Sequence, residues 1–131
     1  MLNRPLPLQA VQYLNQILGQ GAVRLQPSLR TAELPYFVQD AYDIVAGSVH
    51  GHPITLACLK HALPLSVEQI ERSMQRIRDA FQTPLIVALP GLSPGERKQL
   101  IQRGIAFVVP GKQLFAPMLG MVLSEQFGTP T

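Results

Sequence analysis

Residues 84–120, PLIVALPGLSPGERKQLIQRGIAFVVPGKQLFAPMLG, decide the fold of this chain. Two apolar runs in this stretch, Leu85–Leu89 and Ile105–Val109, are short and rich in β-branched residues. Runs of this length and composition predict strands rather than helices. Because both runs are apolar at every position, we expect the strands to be central in a sheet that is covered on both faces.

The segment between the two runs carries signals for both ends of a helix. Ser93 is followed by Pro94 and, three residues after the serine, by Glu96, which is the pattern of a capping box with proline at the first helical position. Gly104 then marks the end of the helix. A strand, a helix and a strand in succession predict a parallel, right-handed unit over residues 84–110.

Two more helices are indicated upstream. Ser66 and Gln69 form a second capping box, and the apolar residues behind it recur at helical spacing, which predicts a long helix over 66–81. Apolar residues also recur at helical spacing over 8–18, where two glycines end the segment. We therefore expect an N-terminal amphipathic helix and a long internal one.

The remaining patterns predict strands. Residues 40–60 alternate about a turn at residues 51–52, which is typical of an antiparallel hairpin. Small residues at 46–48 indicate a bulge or a close approach by another backbone. A short strand over 22–25 precedes the hairpin, and a loop over 26–35 separates the two.

The composition predicts a single domain. The chain has 131 residues, of which 47% are hydrophobic and 15% charged, with a net charge of +3. This length fits one domain, 1–131, with 124–131 as a tail or linker. The one cysteine excludes an internal disulfide framework, and the N-terminus lacks the apolar core of a signal peptide or membrane span. We expect a cytoplasmic protein with no membrane partner and no cofactor.

The predicted order is α-β-β-β-α-β-α-β, in the α/β (α+β) class, with a mixed sheet flanked by helices. Its first six elements resemble the common core of the restriction-endonuclease-like fold. The sequences LPYFVQDAY at 34–42 and LSPGERKQLIQRGIAFVVPGKQLFAPMLG at 92–120, with the long helix between them, carry a second resemblance. With them, the segment 34–123 resembles the N-terminal domain of bacterial regulators of the MarR-type winged-helix class.

The resemblance to these regulators implies a domain that dimerises or senses a ligand and is followed by a DNA-binding winged helix. DNA would then be bound indirectly, and the expected partners are a second copy of the chain or the neighbouring winged helix. The sequence given stops at Thr131, where that winged helix would begin.

The resemblance to the nuclease fold implies three positions for catalysis. Active members place an aspartate on one strand and an acidic residue, two positions before a lysine, on the next. Asp43 and Lys60 stand at the first and last of these positions, but Cys58 stands at the acidic one. Since a neutral thiol is a poor ligand for Mg²⁺, we interpret this site as degenerate, with no catalytic residue.

A second candidate site is basic. Arg97 and Lys98 on the capped helix, with Arg103 and with Lys112 and Gln113 after the last strand, are candidates for contact with a ligand or phosphate. A solvated helix face and a tight surface loop are the alternatives.

The remaining candidates are an apolar patch and a few possible metal ligands. The C-terminal patch predicts an interface for self-association, unless it packs on the chain's own sheet, and includes Met118, Leu119, Met121 and Leu123. His50, His52 and His61 flank the hairpin near Cys58, but their spacing matches no recognised zinc site, so we predict no metal. Cys58 itself is either a buried apolar residue or a redox sensor.

Three functions therefore remain open. The first is a non-catalytic regulatory domain of a bacterial transcription regulator. The second is a degenerate or active nuclease-like domain that processes nucleic acid. The third is a small protein that binds DNA by itself.

Overall fold

The computed structural model describes residues 5–27, 33–60 and 66–118. These residues form a mixed α+β fold in which helices pack on a mixed β-sheet. The elements in chain order are α1 (Leu6–Leu18), β1 (Val23–Pro27), α2 (Tyr36–Ala41), β2 (Tyr42–Val49), β3 (His52–Leu59), α3 (Val67–Phe81), β4 (Leu85–Ala88), α4 (Pro94–Gln102), β5 (Phe107–Val109) and β6 (Gln113–Phe115).

The strands follow one another across the sheet in their chain order, from β1 to β6. The first three strands are antiparallel, β3, β4 and β5 are parallel, and β6 returns antiparallel to β5. A parallel neighbour requires a crossover connection, and α3 and α4 supply the two crossovers. The antiparallel and parallel parts of the sheet therefore meet at β3.

The predicted hairpin is present, but its turn lies one residue earlier than expected. His50 and Gly51 form the turn, with φ of 50° and 85°, and Val49 pairs with His52 at the end of the ladder. Two successive positive φ angles match the twist of the strands that the turn joins. Of the two alternatives predicted for 46–48, a bulge or a close approach by another backbone, the bulge is absent, because β2 pairs in unbroken register with both β1 and β3.

The strand–helix–strand unit is parallel, as predicted. At the start of α4, the Ser93 hydroxyl accepts from the Glu96 amide at 3.2 Å, and the Glu96 carboxylate accepts from the Ser93 amide at 2.9 Å. At its end, Gly104 has a φ of 71°, and the next amide, of Ile105, donates to the Leu100 carbonyl at 3.0 Å. This six-residue closure satisfies one of the terminal carbonyls and turns the chain back toward the sheet.

The structure contains two elements that the predicted order omits, α2 and β6. The first four residues of α2 lie between the predicted loop, 26–35, and the predicted hairpin, 40–60. The last two residues of the helix were predicted to belong to the first strand of that hairpin. The helix begins after Pro35 without a side-chain cap, so the sequence contains no capping pattern from which its start could be predicted. Val38 on its inner side is buried, as are Leu34 just before the helix and Tyr42 just after it, each four residues from Val38.

The strand β6 forms a tight hairpin with β5. Pro110 and Gly111 occupy its turn, where Gly111 has a φ of 78° and the Lys112 amide donates to the Val109 carbonyl at 2.9 Å. Proline followed by a glycine of positive φ defines a type II turn. The Lys112 loop is therefore a hairpin connection, and Gln113 begins a strand.

Each face of the sheet has its own core. On one face, which we call the three-helix face, α2, α3 and α4 pack against inward residues of the sheet such as Tyr42, Ala57, Val87 and Phe107. On the other, the α1 face, α1 alone packs against the alternate residues, including Leu56, Cys58, Ile86 and Val108. None of the helices in the described residues is long and apolar enough to span a membrane.

Candidate functional site

The three positions implied by the nuclease resemblance come together on the β2–β3 hairpin, as a group that we call the hairpin site. Asp43 on β2 is the direct cross-strand partner of Cys58 on β3. The ladder continues one pair further, because the Lys60 amide donates to the Ala41 carbonyl at 2.8 Å. Residues two apart lie on the same side of a strand, which places Asp43, Cys58 and Lys60 together on the α1 face.

The electrostatics of the hairpin site differ sharply between its members. Asp43 and Lys60 are exposed, whereas Cys58 is 0% exposed. Burial raises the pKa of Cys58 to about 12, and the negative charge of Asp43 adds to the rise. The thiol is therefore neutral at physiological pH, without the thiolate that metal coordination and redox sensing both need.

The basic candidates on α4 have two different settings. Arg97 and Lys98 are exposed on the first half of the helix. Arg103, by contrast, pairs with two carboxylates of α3, with an N–O distance of 3.4 Å to Glu68 and a closer contact to Glu71. Arg103 thus ties the end of α4 to α3, and the basic cluster predicted from the sequence is reduced to Arg97 and Lys98 on this helix.

Lys112 and Gln113, which the sequence suggests as a ligand or phosphate contact, lie at the turn between β5 and β6. The turn itself uses the Lys112 amide, as described above, so this amide is not available to cradle an anion. Lys112 is exposed and Gln113 is half-buried. The Gln113 Oε1 atom is buried without a hydrogen-bond partner among the described residues.

The histidines lie at the opposite end of the hairpin from the hairpin site. His50 belongs to the turn and His52 begins β3, whereas Cys58 and Lys60 are at the other end of that strand, and His61 lies outside the described residues. Within the ranges that the structure describes, no three His, Cys, Asp or Glu residues are grouped as metal ligands.

The C-terminal patch lies largely outside the described residues. Met118 is half-buried and packs on the core of the α1 face, which is the alternative considered from the sequence. Leu119, Met121 and Leu123 lie beyond the last described residue, so the predicted interface through them stays a prediction.

A cavity that the sequence did not indicate lies between α2 and α3, and we call it the α2–α3 cleft. Its volume is about 300 Å³, and its lining residues are Phe37, Ala41, Gln69, Arg72 and Ser73. The cleft could be predicted from the sequence only if α2 were predicted first. The one indication of this helix was the four-residue spacing of Leu34, Val38 and Tyr42. Without that helix, Phe37 and Ala41 had no reason to be placed opposite α3.

Comparison of the chain with protein families, with curated proteins and with solved structures found no match in any of the three.

Proposed function

We propose that this chain is a non-catalytic regulatory or interaction domain of a bacterial transcription regulator, built on a degenerate restriction-endonuclease-like core. An antiparallel meander followed by a parallel strand supports this view of the core. The regulatory role rests on the sequence resemblance of 34–42 and 92–120. Dimerisation or ligand sensing would be the work of the domain, and a following winged helix would contact DNA.

The observation that carries the non-catalytic assignment is Cys58. Divalent metal ions that cleave phosphodiesters prefer hard oxygen ligands, commonly two carboxylates. The hairpin site offers the Asp43 carboxylate and a neutral, buried thiol at the position where the second carboxylate would stand. Without a second carboxylate or a substrate phosphate, one exposed carboxylate is a weak site for Mg²⁺, which gives up its hydration shell reluctantly.

A metal titration tests this assignment. Mn²⁺ is added to the wild-type chain, to Asp43→Asn and to Asp79→Asn, a control at an exposed aspartate of α3, and binding is followed by paramagnetic broadening of amide signals. We expect no broadening centred on the hairpin site in any of the three proteins. Saturable broadening around Asp43 that is lost in Asp43→Asn and retained in Asp79→Asn would overturn the assignment.

One observation favours the second candidate, a nuclease-like domain. Asp43 and Lys60 are both exposed, so two of the three positions remain accessible to a nucleic acid. Cleavage of single- or double-stranded DNA in Mn²⁺ would support this candidate only if Asp43→Asn and Lys60→Gln each abolished it. Activity that survives both changes would point to a contaminant.

The exposed Arg97 and Lys98 favour the third candidate, direct binding of DNA. Phosphate contacts make binding strongly dependent on salt, with about one counterion released per contact. Binding by the chain alone that weakens with salt, and weakens further in Arg97→Ala, would support this candidate.

Sedimentation of the chain tests the dimerisation proposed for the regulatory domain. A monomer at high concentration would rule out dimerisation as the work of this domain.

A further inference from the structure

The polar groups around the α2–α3 cleft share one property, which is that they can all donate hydrogen bonds. Arg72 contributes a guanidinium, which only donates. Ser73 contributes a hydroxyl at a side chain that is 4% exposed. Gln69 uses its Oε1 atom to accept from the Ser66 amide at 2.8 Å, so its Nε2 group remains as a donor. Among the described residues, the five that line the cleft include none that is acidic.

A fourth donor lies in the core behind Ser73. Tyr42 is 1% exposed, and its hydroxyl has no partner with hydrogen-bond geometry among the described residues. The Ser73 hydroxyl is close enough to lower the pKa of Tyr42, but burial outweighs it and the net pKa is raised. Tyr42 is therefore protonated at neutral pH, and its hydroxyl is a buried hydrogen-bond donor beside Ser73.

The acidic residues of α3 nearest Arg72 in sequence are paired with another arginine. The carboxylates of Glu68 and Glu71 on α3 are engaged by Arg103 from α4. Among the described residues, the structure gives Arg72 no acidic partner. At the cleft, Arg72 thus presents a guanidinium without an ion-pair partner in the described part of the chain, beside the half-exposed ring of Phe37.

We propose that the α2–α3 cleft binds a small carboxylate with an apolar body. The carboxylate would accept from Arg72 and from the hydroxyl of Ser73, and the apolar body would lie against Phe37 and Ala41. A volume of about 300 Å³ is at the lower end of the range for small-molecule sites. The inference rests on the proposed function, because ligand sensing by a regulatory domain requires such a site.

The experiment uses hexanoate as the probe and 1-hexanol as its uncharged counterpart. Both are titrated into the isotope-labelled full chain, and binding is measured from amide shifts in α2 and α3. We expect hexanoate to bind with a Kd of about 1 mM, and hexanol to bind roughly tenfold more weakly because it lacks the charge-assisted hydrogen bonds.

Three variants locate the site. Arg72→Gln is expected to raise the Kd of hexanoate roughly tenfold. Arg76 lies one turn further along α3 and outside the cleft, so Arg76→Gln should change this Kd less than about twofold. Tyr42→Phe keeps the ring in the core and removes the hydroxyl beside Ser73, and we expect it to weaken the binding of hexanoate about threefold. Arg72 and Arg76 are both exposed, so both variants should fold like the wild type.

Equal binding of hexanoate and hexanol, equal effects of Arg72→Gln and Arg76→Gln, or no saturable shift below about 20 mM would each overturn the proposal. These outcomes are separate from a failure of the proposed function. Asp43 lies next to Tyr42 in the sequence but on the opposite face of the sheet, so the Mn²⁺ titration and the hexanoate titration report on different surfaces.

Discussion

The two faces of the sheet are covered in different ways, and the difference shows how each part of the molecule is specified. On the three-helix face, α3 and α4 both begin with a reciprocal capping box, and Arg103 links one to the other. On the α1 face, a single helix begins without a side-chain cap. Its Asn15 side chain instead accepts from the Val23 amide of β1 at 2.8 Å.

The comparison indicates that α3 and α4 are specified largely by local sequence, whereas α1 depends on the sheet. Capping boxes satisfy helix termini whether or not the rest of the chain has folded. A short helix without such caps is marginal in water and takes its stability from packing. We therefore expect the α1 face to be the less stable of the two.

The largest expected effect comes from removing a buried side chain on each face. Leu14 on α1 and Ile77 on α3 are both 0% exposed, and Leu14→Ala and Ile77→Ala should each lower the free energy of unfolding by about 3 kcal/mol in urea titrations. In hydrogen exchange, Leu14→Ala should also speed the α1 amides through local opening, without a matching change in α3.

Ile17→Ala is the control for this comparison, because Ile17 is on the same helix but 48% exposed. Ile17→Ala should lower the free energy of unfolding by less than about 1 kcal/mol. A uniform increase of exchange across both helices in Leu14→Ala would show that the two faces unfold together and would end the comparison.

The second prediction concerns the stability that the protein loses at alkaline pH because the thiol of Cys58 is buried. This thiol ionises at about 12 in the folded chain, against 9.0 for an unperturbed thiol. Because the unfolded chain loses this proton first, the contribution of the thiol to stability is complete below pH 9 and declines as the pH rises toward 12. Between about pH 8 and pH 10.5, the wild type should lose about 2 kcal/mol more than Cys58→Val.

Chemical denaturation at the two pH values measures this difference. The pKa of Tyr42 is also raised. Because both proteins contain Tyr42, its effect on the pH dependence of the free energy of unfolding should be the same in each and cancels from the comparison. Parallel pH profiles for the wild type and Cys58→Val would mean that the thiol is not shielded from ionisation.

The third prediction tests the local specification of α4. Ser93→Ala removes the hydroxyl that accepts from the Glu96 amide and should cost about 1 kcal/mol. Ser93→Asp keeps a capping acceptor and should stay within about 0.5 kcal/mol of the wild type. Thermal denaturation distinguishes the two, and equal losses would mean that the cap contributes nothing beyond the shape of the serine.

The smallest expected effect is that of the link between α3 and α4. Arg103→Gln removes its ion pairs with Glu68 and Glu71, whose side chains are 62% and 47% exposed. The free energy of unfolding should therefore fall by only about 0.5 kcal/mol. This difference from the wild type should disappear in about 1 M NaCl. Arg97→Gln provides the control, as an exposed arginine of the same helix. A loss in Arg103→Gln that persists in high salt would indicate packing of the side chain rather than charge.

The same contrast explains how much of the fold could be predicted from the sequence. The helices with capping boxes and the two apolar runs were predicted within a residue or two, because neighbouring residues determine them. The helix α2 and the strand β6 were missed, because each is short and is fixed by its place in the tertiary structure. α2 has six residues and no side-chain cap, and β6 has three residues.

The candidate sites divide in a similar way. Asp43, Cys58 and Lys60 were grouped through the resemblance to the nuclease fold, and the hairpin does place Asp43 opposite Cys58, although its turn lies one residue earlier than predicted. The donors of the α2–α3 cleft could not be grouped from the sequence, because residues 37 and 72 meet only after a helix that the pattern did not indicate has packed on α3. The ion pairs of Arg103 were missed for the same reason, as they join two separate helices.

The turn at His50 and Gly51 also has a consequence for the order of folding. A two-residue turn brings β2 and β3 together with very little chain to close, and hairpins of this kind form in about 1–10 μs. The parallel strands must wait for their crossover helices, because long connections are slower to close. Asp43 and Cys58 are thus expected to become neighbours early, while the α2–α3 cleft assembles only when α3 docks. Pulsed hydrogen-exchange labelling during refolding tests this order, because the Val49 and His52 amides should be protected at the first time point and those of β4 only later.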